Sequence, residues 1–266
     1  MNDKPIGIFD SGIGGLTVAG EVMRQLPNEN IIYFGDTARF PYGPRSADEL
    51  KEFVFQIVEF LQNEEVKFIV IACNSASSAA LEVAQEYFDI PIIGVVEPGA
   101  RAAAQATRNR RIGIIGTQAT ISSSAYVKAV RTFDAGAKVF QQVTPELADF
   151  VENGELSGKR VEDAIKKYSN SLIEVDIDTL ILGCTHYPLL SKTIQKIIGE
   201  KVVLISSAKE AAKEVGEMLA RKSHIRSEQK TPCYRFISSG DGSKFIELGN
   251  KFLGREIKDV EKIKLG

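Results

Sequence analysis

The chain has 266 residues, 44% of them hydrophobic and 26% charged, and its 33 Lys+Arg against 35 Asp+Glu leave a formal net charge of −2. That length supports one large or two modest domains with a sizeable core, and the balanced charge offers no basic surface of the kind phosphate backbones require, which excludes nucleic acid as the main partner. Apolar runs are strand-sized rather than the ~20 residues of a membrane span, the opening MNDKPIGIFD carries no leader, and three cysteines with two histidines make neither a disulfide framework nor a zinc site; a soluble cytoplasmic protein using its cysteines as thiols is expected.

In chain order, short β-branched runs alternate with helical periodicity. IGIFD (6–10), IIYFGD (31–36), FIVIACN (68–74) and PIIGVVE (91–97) each precede a helical pattern, the signature of parallel strands joined by crossover helices. Ser46 and Glu49 read as a capping box before Leu50, Phe53, Val54, Ile57, Val58 and Leu61. RIGIIGT (111–117), AKVFQQVTP (137–145), TLILGCTH (179–186) and KVVLIS (201–206) then repeat the first four runs in order and character. The two series lie about 110 residues apart, too long a period for a solenoid, so the pattern implies two similar halves. Ser207 with Glu210 predicts another capping box, opening a helix that buries Ala211, Val215, Met218 and Leu219. A strand (CYRFIS, 233–238), the turn SGDG, a helix ending at Gly254 and a last short strand follow. The expected class is α/β, two similar domains with mainly parallel sheets flanked by helices and an active site in the interdomain cleft. Residues 1–97 plus 211–266 would form the first domain and 98–210 the second.

Ligands of open parallel sheets sit beyond the carboxyl ends of the strands, near helix N-termini. Polar residues directly after an apolar run are therefore the candidates: Asp10 and Ser11, Asp36 and Thr37, Cys73, Asn74 and Ser75, Thr117, Glu152, and Cys184, Thr185 and His186. The cysteines occupy equivalent places in the two halves. Facing each other across a cleft, they suit a reaction with a base on one face of a carbon and an acid on the other, which inverts a stereocentre. A thiol of pKa ~8.5 costs about 2 kcal/mol to ionise at pH 7, and a helix N-terminus would offset part of that. A single cysteine reads more simply as a small buried hydrophobe.

His186, two residues after Cys184, would share its face on an extended stretch and hold the thiol proton; a hydrogen-bonded histidine at a helix start fits the same spacing. Asp10, closing an apolar strand, needs donors or a cationic ligand. A substrate ammonium would serve; so would the helix opening near Gly14, although Ser11 could cap that helix instead. The run DSGIGG matches a dinucleotide fingerprint only at Gly12 and Gly14, with Thr17 in the third position. FPYGP (40–44) reads as a rigid turn that would present Tyr42 and Gly43 to a ligand. No lysine stands out as a Schiff-base former, so pyridoxal phosphate is not indicated.

Taken together, GIFDSGIGGLTV, YFGDTARFPYGPRS, VIACNSAS, GVVEPGA, ILGCTHYPLL and SSGD resemble the glutamate racemases of the aspartate/glutamate racemase superfamily, nearly end to end. The resemblance implies interconversion of L- and D-glutamate, D-glutamate supply for peptidoglycan, no metal or coenzyme, a small-molecule substrate and a homodimer. It implies that Cys184 takes the α-proton of L-glutamate and Cys73 that of D-glutamate, assisted by Asp10 and His186. Asp10, Ser11, Tyr42, Gly43, Asn74, Ser75, Thr117, Thr185 and His186 would hold the substrate, with Asp36 and Glu152 as auxiliaries. Ser75 stands where the family usually has threonine, and VTPELADFVENG lacks the cysteine-proline often found before the motif holding Glu152. With five residues before its first strand, the chain is expected to lack the N-terminal extension of relatives activated by a cell-wall precursor. Aspartate racemase, one methylene shorter in substrate, is the alternative within the superfamily. A non-catalytic amino-acid-binding module and a redox dithiol are the alternatives outside it.

Overall fold

The computed structural model describes residues 3–222, 224–226 and 231–265. Strand and helix alternate through β1 (Ile6–Asp10), α1 (Leu16–Gln25), β2 (Ile31–Gly35), α2 (Ala47–Asn63), β3 (Phe68–Ile71), α3 (Asn74–Tyr87), β4 (Ile92–Gly94) and α4 (Val96–Ala106). The second series is β5 (Arg111–Gly116), α5 (Gln118–Ser122), α6 (Ala125–Phe133), β6 (Lys138–Val143), α7 (Leu147–Glu152), α8 (Lys159–Glu174), β7 (Thr179–Gly183), α9 (Ser191–Ile198) and β8 (Val203–Ser206). It is followed by α10 (Ser207–Arg221), β9 (Tyr234–Ser238), α11 (Gly242–Leu253) and β10 (Glu261–Lys262).

All strand pairings are parallel, in two sheets of order β10-β9-β2-β1-β3-β4 and β6-β5-β7-β8. The order β2-β1-β3-β4 recurs as β6-β5-β7-β8, so the internal repeat in the sequence is a repeat of topology. The tail returns to the first sheet, where β9 extends the edge of β2 with Ile31 beside Tyr234 and Gly35 beside Ser238.

Both faces of each sheet are covered, because successive side chains of a strand point to opposite sides. Ile6 and Ile8 pack with α1, α10 and α11, while Phe9, Ile69 and Ile71 pack with α2 and α3. In the second sheet Ile112, Ile114 and Ile181 face α4 and α6, and Ile115, Leu180 and Leu182 face α7, α8 and α9. These buried aliphatic stripes bring the carboxyl ends of β1 and β3 opposite those of β5 and β7.

Local signals met mixed outcomes. Ser46 caps α2 as expected, its Oγ accepting from Glu49 N–H while Glu49 Oε2 accepts from Ser46 N–H, and the buried stripe is Leu50, Val54, Ile57, Val58 and Leu61. The box at Ser207 is not formed. Ser206 occupies the cap without a side-chain bond, and Ser207 is the first helical residue, buried rather than facing the orphan N–H groups. The run 91–97 is a strand only over Ile92–Gly94, because Val95 already has right-handed helical dihedrals and starts α4. At α1 the cap position is Gly15, without a side-chain bond from Ser11. Asp10 takes over there, its Oδ2 accepting from Gly12 N–H at 3.1 Å and Gly15 N–H at 3.0 Å.

Candidate active site

Between the two sheets lies a cavity of about 250 Å³. Ser11 follows β1, Cys73, Asn74 and Ser75 follow β3, Thr117 follows β5, and Cys184, Thr185 and His186 follow β7; all of them line it, together with Tyr42 and Gly43 of the FPYGP turn. Both cysteines thus line one space from topologically equivalent positions. The halves are joined around it by Ser75 Oγ to Thr117 Oγ1 at 2.9 Å, Thr17 Oγ1 donating to the Thr185 carbonyl at 3.0 Å, and Ala119 N–H donating to the Gly43 carbonyl at 3.0 Å.

The surroundings of the two thiols differ. Cys73 sits at the N-cap of α3 and donates to Ser11 Oγ at 3.8 Å. Burial and the nearby Asp10 carboxylate push its pKa up to about 12, so the relief expected from the helix N-terminus is outweighed. Ionising it at pH 7 costs about 7 kcal/mol.

Cys184 is followed by a turn, since β7 ends at Gly183, and the extended stretch expected to align it with His186 is absent. The two groups meet nonetheless, Cys184 Sγ lying 3.6 Å from His186 Nδ1. His186 Nε2 is 2.8 Å from Glu152 Oε1. Burial alone would lower the imidazole pKa, but the bonds to Cys184 and Glu152 outweigh it and raise it to about 10. His186 is therefore an imidazolium at neutral pH, donating to both neighbours. Burial raises the Glu152 pKa, but bonds to His186, with Lys244 Nζ at 3.7 Å, leave it below its ordinary value.

Asp10 is fully buried behind the cavity wall and is not among the lining residues. Besides Gly12 and Gly15 it accepts from Thr185 Oγ1 at 3.4 Å, and burial raises its pKa against the lowering influence of His186. Its donors are thus backbone and hydroxyl groups already in place. Asp36 also lies outside the lining. Its carboxylate accepts from Arg39 Nε at 2.6 Å, Ser239 Oγ at 2.8 Å and the Tyr42 hydroxyl. The Tyr42 phenol is therefore committed to Asp36, and what Asp36 does is hold the FPYGP turn. Glu152 reaches the site only through His186.

Further lining residues come from Phe40, Gln118, Pro145, Ala148 and Asp149. Pro145, Ala148 and Asp149 follow β6, but the polar residue directly after that strand is Thr144, which bonds to the Gly116 carbonyl and the Tyr187 hydroxyl instead of lining the cavity, so the rule that picks out Thr117 after β5 does not find them. Phe252 of α11 stacks edge-on to His186 at 6.1 Å between centroids, and Phe40 of the FPYGP turn tilts against it at 6.0 Å; no local pattern marks Phe252. Among the described residues no group of three or more His, Cys, Asp or Glu side chains is placed to hold a metal ion, and no helix is long and apolar enough to cross a membrane.

Comparison with known proteins places this geometry in context. Residues 17–215 match the model of the Asp/Glu/Hydantoin racemase family. The glutamate racemase of Corynebacterium diphtheriae is 47% identical over 262 residues, 98% of each chain. A glutamate racemase isoform from Bacillus anthracis superposes with a TM-score of 0.96 at 46% identity, covering 100% of this chain and 99% of that one. The Francisella tularensis glutamate racemase, solved in complex with D-glutamate, gives 0.93 at 38% identity over 100% and 99%.

Proposed function

Because the chain belongs to the Asp/Glu/Hydantoin racemase family, we propose that it interconverts L- and D-glutamate by moving the α-proton between two thiols. The observation that carries this reading is the opening of Cys73 and Cys184 onto one cavity from opposite sheets. In the L-to-D direction the Cys184 thiolate, paired with the His186 imidazolium, removes the α-proton. Cys73, kept protonated by burial and Asp10, delivers a proton to the opposite face. The reverse direction exchanges the roles, and the substrate ammonium entering the cleft favours the Cys73 thiolate by adding positive charge beside it.

Ser11, Asn74, Ser75, Thr117 and Thr185 supply hydrogen-bonding groups for the substrate's carboxylates and ammonium, with Gly43 and Tyr42 closing one wall. Asp10, His186 and Glu152 set the charge around the thiols, and Asp36 holds Tyr42. The reading extends, as the family resemblance implies, to D-glutamate supply for peptidoglycan, a cytoplasmic location, a homodimer, and domains of residues 1–97 plus 211–266 and 98–210.

Circular dichroism of pure L-glutamate incubated with the protein in heavy water tests it. Loss of optical activity with deuterium at the α-carbon of the D-product is expected. Binding without exchange, or faster turnover of aspartate than of glutamate, would overturn it.

A further inference from the structure

One buried polar atom at the cavity has no partner. Asn74 is 2% exposed and lines the cavity, yet its Nδ2 has no hydrogen bond, while its Oδ1 accepts from the Tyr126 hydroxyl at 2.7 Å. The two residues belong to different halves, Asn74 opening α3 and Tyr126 lying in the first turn of α6. An unpaired buried amide N–H costs of order 1–3 kcal/mol, so such a group in a site calls for an explanation.

We propose that Tyr126 is a positioning residue, which fixes the Asn74 amide so that its N–H₂ points into the cleft as a donor for a substrate carboxylate. An amide can turn over about its last torsion, exchanging a donor face for an acceptor face. An anionic substrate needs the donor. The phenol enforces that orientation because it offers its proton to the amide oxygen, and burial raises its pKa so that it keeps that proton throughout the working range.

Its placement is itself held by packing. It sits in the apolar cluster with Val96, Ala100, Ile112, Ile114, Val130 and Ile181, beside Gly183 and Gly99, where a built Cβ would lie at ordinary contact distance, 3.5 Å from Tyr126 Cε2 and 3.4 Å from its hydroxyl. Tyr126 is fully buried between these two backbones, and Gly183 directly precedes Cys184 in the cavity wall. One phenol therefore lies beside the backbone preceding one thiol and orients the amide beside the other.

This inference rests on the glutamate reading above, and kinetics of three variants test it. Tyr126→Phe keeps the ring and removes only the proton. It is expected to raise KM for L-glutamate about tenfold with kcat within twofold, the loss of one well-aimed bond to a charged group. Since enantiomers have equal free energy in water, kcat/KM must fall by the same factor in both directions. In an Asn74→Ala background the Tyr126→Phe change is expected to have no further effect on KM; multiplying effects, or an unchanged KM in the single variant, would overturn the proposal. Asn74→Asp provides a measurement that does not depend on the tyrosine variant folding. It still accepts from Tyr126 but presents oxygen to the cleft, and should raise KM more than Asn74→Ala does; wild-type KM would overturn the proposal. A wild-type protein that does not racemise glutamate at all defeats the underlying reading, and this inference with it, whereas an active wild type with unaffected variants defeats this inference alone.

Discussion

His186 donates from Nε2 to Glu152 Oε1 at 2.8 Å, and the same ring faces Cys184 through Nδ1 at 3.6 Å. One imidazolium thus links a carboxylate on α7 to the thiol after β7, and the Cys73 side has no counterpart. The duplicated halves supply matched sulfurs in different electrostatic surroundings: His186 lies beside Cys184, whereas burial and Asp10 disfavour the Cys73 thiolate.

Glu152→Gln removes the negative partner while keeping the side chain's shape. The His186 pKa is raised to about 10, so the pair's contribution to stability is full below about pH 6.5 and is lost as pH rises towards 10. The Glu152 pKa is lowered, so its contribution is lost as pH falls through and below the ordinary carboxylate range near 4.5. The melting-temperature difference between wild type and variant should therefore peak near pH 5–6.5 and shrink on both sides. Thermal melts across pH 3–10 check this, and a pH-independent difference would contradict it. Racemisation kcat/KM should fall about tenfold at pH 8, less than loss of a proton-transferring group itself.

Cys73→Ser and Cys184→Ser should each lower kcat/KM by at least about 10²–10⁴. Far-ultraviolet dichroism should remain native, since serine differs from cysteine by one atom at the cavity wall. Near-native turnover of either variant excludes the two-thiol mechanism.

In a Cys184→Ser/Cys233→Ser double variant Cys73 is the sole thiol of the chain. Its pKa of about 12 places the thiolate in a small minority at neutral pH. Alkylation by iodoacetamide, followed by mass spectrometry, should accelerate about tenfold per pH unit from pH 7 to 10 without a plateau. A plateau near pH 8–9 would mean an ordinary thiol.

Gly14→Ala should act on His186 from the other half. A Cβ at Gly14 would lie 2.5 Å from His186 Cε1 and 2.6 Å from both His186 Nδ1 and Thr185 Oγ1, distances no real packing tolerates. The ring must move, and with it the contact to Cys184. A loss of kcat/KM of about tenfold or more, with the His186 ring-proton resonances shifted in NMR spectra, is the expected outcome.

Much of this was legible in local pattern. Strand runs and helix periodicity located β1 to β9 to within a few residues and announced a last short strand without placing it, and the doubled series around Cys73 and Cys184 announced the repeated topology that the sheets then display. Capping was less readable: Ser46 and Ser207 carry the same motif, yet only the former faces solvent and the helix end, while the latter is drawn into the interior. Asp36 and Tyr42 were both picked out as site residues, but the bond between them lies behind the wall and consumes the phenol. Tyr126 and Phe252 gave no signal, because a buried aromatic on a helix looks the same whether it meets a core or an active-site group.

The sequence alone determined the parallel sheets, the duplication and the polar groups at each strand's carboxyl end, because these follow from short-range periodicity and from where a strand hands over to a helix. Only the tertiary structure decided that the two thiols share one cavity, that Asp10 is occupied by Gly12, Gly15 and Thr185, and that His186 rather than a helix terminus supplies the charge beside Cys184. Those outcomes depend on how burial and tertiary contacts set each group's solvation and partners: Thr185 reaches Asp10 across 175 positions and Glu152 reaches His186 across 34, and neither pairing is written in a local pattern.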